Sequence, residues 1–274
     1  MENKIKIKNN NYKEVIEILK HISSMASKSI NDIYASSKID TIYKKDKSPL
    51  TQADIESNNI IISSLKKHFK DIQVVSEESD NITDSIDNEF FLVDPLDGTK
   101  EFIKKNDEFT VNICLIQNNQ PILGVVEIPP KKIQYFSDGF NSYKLSDNNL
   151  IKIESNNIIS EQITIVVSRS HLDEQTEILI EKLNELNDYS FKIIKAGSSL
   201  KLCLISEGKA DLYIRYGNTM EWDMGAGHAI LKTANGYLRE FNNKDITYGK
   251  NNYKNSSLIG FSDNNIMQII QKLI

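Results

Sequence analysis

Four acidic residues stand at the ends of predicted strands or helices, where they could bind a metal ion together. Asp94 and Asp97 lie in the string FFLVDPLDGT. Glu77 ends the apolar run before that string, and Asp223 lies far downstream in WDMGAGHA. Carboxylate oxygens are the ligands that Mg²⁺ prefers, and no grouping of Cys and His suggests zinc. The pattern therefore predicts a metal cage of oxygen ligands, not a solvated acidic face.

The string FFLVDPLDGT would hold two of these acids beside the start of a helix. Pro95 disfavours a helical conformation at Asp94, which keeps this acid extended at the end of a buried strand. Gly98 can adopt conformations that other residues avoid, and Thr99 is a good helix N-cap. Carboxylates and a hydroxyl at a helix N-terminus suit a hard cation together with phosphate. The tripeptide DGT alone fits an ordinary strand-turn-helix corner equally well.

The composition is that of an ordinary globular protein. The chain has 274 residues, of which 39% are hydrophobic and 26% charged, enough for one large or two closely packed domains. The net charge of −5 argues against non-specific binding of nucleic acid. This charge would also repel a polyanionic substrate. Bound cations and a local basic cluster would therefore have to reverse the sign at such a site.

Neither the cysteines nor the first residues point to secretion. Cys114 and Cys203 each lie within an apolar segment, which favours small buried residues in a reducing compartment over a disulfide or a nucleophile. The string MENKIKIKNN has no apolar core of a signal peptide, and no apolar run approaches the ~20 residues of a membrane span. The sequence therefore predicts a cytoplasmic protein.

Hydrophobic spacing in the first part of the chain predicts helices and a meander of strands. The helices are predicted at 12–35 and 53–69, where apolar residues recur mostly every three to four positions. Consecutive antiparallel strands are predicted at 110–116, 122–128 and 133–136, because runs rich in β-formers are separated by turn sequences. Together these elements indicate an α+β arrangement that would carry most of the acidic residues.

The second part of the chain alternates strands with helices. The polar, uneven stretch 141–158 is interpreted as a boundary. From residue 163 to the last predicted helix at 264–274, strands and helices follow one another, which indicates an α/β layer. We therefore predict an α/β protein with an N-terminal α+β domain, 1–155, and a C-terminal α/β domain, 156–274, that pack tightly together.

Long strings around the acids resemble a known family. The strings SEE, DPLDGTKEFI and WDMGAGHA resemble the inositol monophosphatase superfamily. Within it, DPLDGTKEFIKKNDEFTVNI, VVSRSH and GSSLKLCLISEGKADLYIR are similar to the bacterial 3'(2'),5'-bisphosphate nucleotidases of sulfur metabolism. The similarity extends from about residue 46 to about residue 229. It implies the alternating layers of helices and sheets of the inositol monophosphatase and fructose-1,6-bisphosphatase fold.

The resemblance implies a magnesium site with two or three ions. Its implied metal ligands are Glu77, Asp94, Leu96 through its carbonyl, Asp97 and Asp223. Glu77 and Asp94 would hold the first ion. Asp94, Asp97 and Asp223 would hold the second. The implied reaction is attack by a metal-activated water, whose proton leaves through Thr99. Asp46, in a D-x-S-P-x-T pattern, or Glu77 would stand behind Thr99, although Asp46 alone would be interpreted as a solvated loop residue.

The resemblance also implies a site for a second phosphate. The implied substrate-binding residues are Leu96, Asp97, Gly98, Thr99, His171, Ser198, Lys201, Arg215 and Asp223. Taken singly, Lys201 fits a solvated charge, Ser198 an N-cap and His171 a loop histidine. Asp54, near the start of a predicted helix, is assigned only to the helix dipole. The segment Tyr216-Gly217-Asn218-Thr219 lacks a proline that related sequences often carry.

The expected function is magnesium-dependent hydrolysis of the 3'-phosphate of adenosine 3',5'-bisphosphate, with 3'-phosphoadenylyl sulfate as a further candidate substrate. The resemblance also implies sensitivity to lithium. An inositol monophosphatase or sugar bisphosphatase is the alternative, and a silent nucleotide sensor is a third hypothesis. We expect a small nucleotide substrate, no nucleic acid, no obligate protein partner, and a monomer or homodimer. Peripheral association with the inner membrane stays open, since no basic amphipathic helix supports it.

Overall fold

The computed structural model describes residues 7–36, 41–44, 48–79, 86–158, 161–170 and 172–274. The first large sheet has seven strands in the order β3-β4-β5-β6-β7-β8-β9. The strands are β3 (Gln73–Ser76), β4 (Glu89–Asp97), β5 (Thr110–Gln117), β6 (Gln120–Ile128), β7 (Ile133–Ser137), β8 (Ser142–Ser146) and β9 (Asn149–Ile153). Only β3 and β4 pair in parallel; the other pairs of this sheet are antiparallel.

Both faces of this sheet are covered by helices. Helices α1 (Tyr12–Tyr34) and α2 (Gln52–His68) pack on one face, where Phe91 and Val93 of β4 join their apolar cluster. Leu92 of the same strand faces the opposite cluster, which contains residues of α6 (Glu221–Thr233). Burial on both faces explains why residues 90–93 of this strand are all apolar and do not alternate with polar residues.

The second large sheet has five strands in the order β11-β10-β12-β16-β14. The strands are β10 (Gln162–Ser168), β11 (Ser190–Ala196), β12 (Leu212–Arg215), β14 (Tyr237–Glu240) and β16 (Leu258–Phe261). Strand β10 pairs in parallel with β11 and β12, whereas β16 pairs antiparallel with β12 and β14. Helices α4 (Glu174–Asn184) and α7 (Asn264–Gln271) cover one face of this sheet.

A middle layer of helices joins the two sheets. Helix α5 (Leu200–Ser206) packs beside α6, and both contribute to a core that holds residues from each sheet. The layers therefore run helix, sheet, helix, sheet, helix, and the predicted fold class of alternating layers is confirmed. Smaller elements include α3 (Thr99–Ile103) and two-stranded sheets of β1 (Thr41–Tyr43) with β2 (Pro49–Thr51) and of β13 (Thr219–Met220) with β15 (Lys254–Asn255).

The stretch 141–158, which the sequence analysis interpreted as a boundary, contains regular secondary structure. It forms the hairpin of β8 and β9, which turns at Asp147 and Asn148 with positive φ values of 50° and 62°. Because β9 is an exposed edge strand, its sequence lacks the burial pattern that reveals other strands. The proposed division near residue 155 falls between the two large sheets and stays a prediction.

Two other sequence features have a clear place in the fold. Cys114 and Cys203 are both buried and form no disulfide in the described part of the chain. Among the helices that the structure describes, none has both the length and the apolar character needed to span a bilayer.

Candidate active site

Three predicted metal ligands meet beside the end of β3, where the register of β4 shifts between Asp94 and Asp97, so that Asp94 lies within β4 and not at its end as predicted. Glu77 directly follows β3, and its N–H donates to the carbonyl of Val93 at 3.1 Å, which places it beside Asp94. Asp223 lies in the first turn of α6. Oxygens of Glu77, Asp94 and Asp223 all lie within 4.8 Å of one another. We call these three residues the carboxylate cluster.

The electrostatics of the carboxylate cluster favour a bound cation. Asp94 is 1% exposed. Burial raises its pKa well above the ordinary value, and repulsion from Glu77, Asp97 and Asp223 adds to this. Burial and repulsion from Asp97 and Glu77 likewise raise the pKa of Asp223. Buried carboxylates that repel one another are stabilised by a divalent cation, so the donor set fits a hard metal ion.

Asp97 lies next to the carboxylate cluster but outside its three mutually close oxygens. Its Oδ2 accepts a hydrogen bond from Ser199 Oγ at 2.8 Å. The same hydroxyl lies 2.7 Å from the carbonyl of Asp223. Burial raises the pKa of Asp97, while Lys201 and Ser199 oppose that rise. The structure thus brings three of the four predicted acidic ligands into one group and leaves the fourth oriented by a serine.

Thr99 has a carboxylate partner that the sequence analysis did not assign to it. Its Oγ1 donates to Asp54 Oδ1 at 3.0 Å. The other oxygen of Asp54 accepts from the N–H and the hydroxyl of Thr51, at 2.7 and 2.5 Å. The Thr51-x-x-Asp54 capping pattern was the available signal, but it predicts only the helix start. Gly98, with φ of 91°, allows the turn that leads from β4 to Thr99.

Lys44 is a second neighbour that the sequence did not reveal. Its Nζ lies 2.9 Å from Glu77 and 2.6 Å from Glu78. Burial raises the pKa of Glu78 to about 7, although the Lys44 ammonium opposes that rise. Lys44 therefore neutralises part of the negative charge on the outer side of the carboxylate cluster.

The basic residues implied for a second phosphate form the other end of the site. We call Lys201 and Arg215 the basic cluster. Lys201 is 6% exposed, donates to the Ser198 carbonyl and lies 5.5 Å above the Tyr213 ring. Burial lowers the pKa of Lys201, and Asp97 opposes this. The Ser198 hydroxyl is buried with no hydrogen-bond partner among the described residues, which leaves it available to a ligand.

Both clusters line one cavity of about 330 Å³. Every predicted site residue that the structure describes lines it, namely Glu77, Asp94, Leu96, Asp97, Gly98, Thr99, Ser198, Lys201, Arg215 and Asp223. Asp46 and His171 lie outside the described residues. Lining residues that the sequence analysis did not single out include Glu101, Gly197 and Tyr213. An anion with two charged groups could therefore contact both ends of the cavity.

Trp222 and His228, which flank Asp223 in the sequence, also have defined places. Trp222 is 6% exposed, lines the cavity and lies 6.1 Å from Tyr253 between ring centroids. His228 does not line it; its Nδ1 lies 2.9 Å from the Tyr248 hydroxyl within the core. Burial lowers the pKa of His228 to about 3, which keeps its ring neutral. Gly217, in the segment without proline, is exposed with φ of 82°.

A comparison with family models gives a match to the inositol monophosphatase family over residues 10–273. The chain belongs to this family. As a member, it is a phosphatase, and the expectation of an enzyme is confirmed. Enzymes of this superfamily are generally metal dependent, in agreement with the carboxylate cluster.

The chain is similar to several bacterial members of the family. The 3'(2'),5'-bisphosphate nucleotidase CysQ of Buchnera aphidicola is 39% identical over 259 residues, which cover 92% of each protein. The protein of the same name from Salmonella typhimurium is 38% identical over 237 residues, 85% of this chain and 94% of that protein. The resemblance to bacterial bisphosphate nucleotidases is therefore confirmed.

Solved structures agree with this assignment. The crystal structure of CysQ from Bacteroides thetaiotaomicron has a TM-score of 0.78 and 34% identity, and covers 91% of this chain and 97% of that chain. An inositol monophosphatase of Thermotoga maritima also has a TM-score of 0.78, over 95% of this chain and 98% of its own, but only 19% identity. The second likeness supports the fold alone.

Proposed function

We propose that this inositol monophosphatase family member hydrolyses the 3'-phosphate of adenosine 3',5'-bisphosphate to AMP and phosphate, with 3'-phosphoadenylyl sulfate as a further substrate. The observation that carries the proposal is the single cavity that joins the carboxylate cluster to the basic cluster. A substrate with one phosphate needs only the first cluster. The similarity to proteins named 3'(2'),5'-bisphosphate nucleotidase supports the same substrate.

We propose that the carboxylate cluster holds Mg²⁺, with Asp97 and the carbonyl of Leu96 as further ligands. All of these groups offer oxygen, the ligand atom that Mg²⁺ prefers. Bound divalent cations would act as Lewis acids that lower the pKa of water and offset charge on the phosphate oxygens. The number of ions, two or three, stays a prediction.

Thr99 and Asp54 are suited to move the proton of the attacking water. The Thr99 hydroxyl already donates its hydrogen to Asp54, at 3.0 Å, so its lone pairs remain available to a water. As the water attacks phosphorus, it would pass a proton to Thr99 Oγ1 while the threonine hydrogen moves to Asp54. The raised pKa of Asp54, which follows from burial, makes it a better proton acceptor. Asp46 stays the predicted alternative acceptor.

The basic cluster is suited to bind the 5'-phosphate. Lys201 and Arg215 supply positive charge, and Ser198 supplies an unused hydroxyl. A phosphate dianion could accept hydrogen bonds from all three groups, since charged donors form strong hydrogen bonds to phosphate. His171 completes the predicted set.

The proposal is tested by Lys201→Met and Arg215→Met. We expect either substitution to raise KM for adenosine 3',5'-bisphosphate by about tenfold or more, because removing one partner of a buried charge pair costs ~2–5 kcal/mol. KM for adenosine 3'-monophosphate, which lacks the second phosphate, should change far less. Lys104→Met, at an exposed position outside the cavity, is the matched control. Equal KM changes for both substrates would contradict the assignment of the basic cluster.

A further inference from the structure

Two acidic residues from the first half of the chain form hydrogen bonds to two loops of the second half, one of which carries Ser198. Glu101 lies in α3, and Glu108 lies in the connection between α3 and β5. In the second half of the chain, β10 is followed by Arg169 and Ser170, and β11 is followed by Gly197, which lines the cavity. We call these two exits the anion loops, 169–170 and 197–199.

Glu108 bonds to both anion loops at once. Its Oε2 accepts from Arg169 Nε at 2.7 Å and from the Gly197 N–H at 2.8 Å. Its Oε1 accepts from an η nitrogen of Arg169 at 2.7 Å. That nitrogen also donates to the carbonyl of Lys195 at 3.0 Å. A bidentate pair of this kind fixes direction as well as distance.

Close packing strengthens the contact. A Cβ added to Gly197 would lie 2.7 Å from the Glu108 carbonyl and 3.2 Å from Glu101 Cγ, so only glycine allows this approach. Glu101, which is 5% exposed, accepts a hydrogen bond from the Ser170 hydroxyl. The connection from the DGT turn to β5 is thus joined to both anion loops by side-chain and backbone contacts.

The contacts of the Glu108 carboxyl group favour its ionised form. Burial raises the pKa of Glu108, but the hydrogen bonds from Arg169 and Gly197 and the charge of Arg169 leave it below the ordinary value. The side chains of Glu108 and Arg169 are 14% and 42% exposed. A pair so open to water adds little to stability. What its geometry determines is the position of the anion loops relative to the DGT turn.

We propose that Glu108 is a positioning residue that sets the separation between the carboxylate cluster and the basic cluster, and so the preference for substrates with two phosphates. Ser198 follows Gly197 directly, and Lys201 lies four positions after Gly197 in the first turn of α5, so a shift of Gly197 would change the positions of both relative to the DGT turn. A displacement of about 1 Å would lengthen hydrogen bonds to the second phosphate and so weaken its binding. The inference rests on the proposed function, because it concerns the second phosphate of the same substrate.

The test compares adenosine 3',5'-bisphosphate with adenosine 3'-monophosphate in Glu108→Gln and Arg169→Gln. We expect kcat/KM for the bisphosphate to fall about tenfold more than for the monophosphate, which corresponds to ~1.4 kcal/mol. The loss should lie in KM and not in kcat. Arg169→Lys, which keeps the charge without the bidentate geometry, should give an intermediate ratio. Asp245→Asn removes another arginine partner, that of Arg239, away from the cavity and is the matched control.

In the wild type, the ratio of kcat/KM for the bisphosphate to kcat/KM for the monophosphate tests the proposed function separately. If the wild-type protein prefers the bisphosphate and folded Glu108→Gln and Arg169→Gln keep that preference within about twofold, the positioning role is wrong while the substrate assignment stands. Equal losses for both substrates would also overturn it, because they indicate general damage. A wild-type protein without any preference for the bisphosphate would overturn both proposals. Arg169 is largely exposed, so its variants are expected to fold even where Glu108→Gln does not.

Discussion

Thr99 lies between the Asp97-Gly98 turn and the buried carboxylate of Asp54, a position that suits the proton transfer proposed above. Its hydroxyl lies 3.0 Å from Asp54 and 3.4 Å from the carbonyl of Leu96. Asp54 is 2% exposed and is oriented by two further bonds from Thr51. A carboxylate held in this way can receive a proton without first having to reorient.

Replacing either member of this pair should lower kcat. We expect Thr99→Ala and Asp54→Asn to reduce kcat for adenosine 3',5'-bisphosphate by a factor of roughly 10²–10⁴, the usual contribution of general base catalysis. KM should change little, because neither group is assigned to either phosphate through its side chain. Thr99→Ser keeps the hydroxyl and is the control. A Thr99→Ala protein with half of the wild-type kcat would exclude the proton path through Thr99.

At the scale of residues, the sequence predicted the acidic side chains of the carboxylate cluster but not the residues that bond to the site from elsewhere in the chain. Glu77, Asp94 and Asp223 were predicted as ligands and do form one group. The bond from Thr99 to Asp54 joins residues 45 positions apart, and the sequence analysis had explained Asp54 locally, by the dipole of the helix that it begins. Lys44 was missed for a related reason, since its approach to Glu77 depends on how β1 and β2 pack.

At the scale of elements, α6 connects the site with the core. Asp223 lies in its first turn, and His228 lies farther along the same helix, fully buried against Tyr248. The helix packs so closely on β6 that a Cβ at Gly124 would lie 2.4 Å from the carbonyl of Ala226. The position of Asp223 therefore depends on tight packing along the helix.

His228 should make stability depend on pH. Its folded-state pKa of about 3 is below the ordinary value of 6.5, because burial, then Lys232 and Lys250, disfavour the charged ring. The unfolded chain therefore binds a proton that the folded chain excludes. Stability is retained above pH 6.5 and falls as the pH is lowered. Between pH 7.5 and pH 5, this group should account for a loss of about 2 kcal/mol.

The measurement is urea unfolding of the wild type and of His228→Gln across that range. The variant should be less stable at pH 7.5 but should show a shallower dependence on pH. Tyr248→Phe removes the hydrogen-bond partner of His228 but keeps the ring. The free energy of unfolding of this variant should still fall as the pH is lowered, as in the wild type. Identical slopes for the wild type and His228→Gln would show that the histidine is not held neutral by the fold.

The elements that periodicity reveals are those with a clear buried face. The helices near residues 12–35 and 53–69 were predicted within a few residues of α1 and α2. The hairpin of β8 and β9 was not, because β9 is exposed at the edge of its sheet. The short β1 and β2 likewise offer too few residues for a pattern.

At the scale of the whole molecule, the cavity exists because two sheets share one helical layer. The carboxylate cluster comes from β3, β4 and α6, and the basic cluster comes from α5 and β12. No local pattern in the sequence gives the distance between these elements; the resemblance to a family supplied that expectation. The layout also explains how a protein with a net charge of −5 could bind an anionic substrate, because positive residues are concentrated at one end of the cavity.

The central claim is that both ends of the cavity act on one substrate. Its most direct test is phosphate release, with and without Mg²⁺, from adenosine 3',5'-bisphosphate, inositol 1-phosphate and fructose 1,6-bisphosphate. We predict Mg²⁺-dependent release with a strong preference for the nucleotide. A preference for inositol 1-phosphate or fructose 1,6-bisphosphate would keep the metal chemistry and contradict the assignment of Ser198, Lys201 and Arg215. No release from any substrate by a folded protein that binds Mg²⁺ would favour a silent sensor instead.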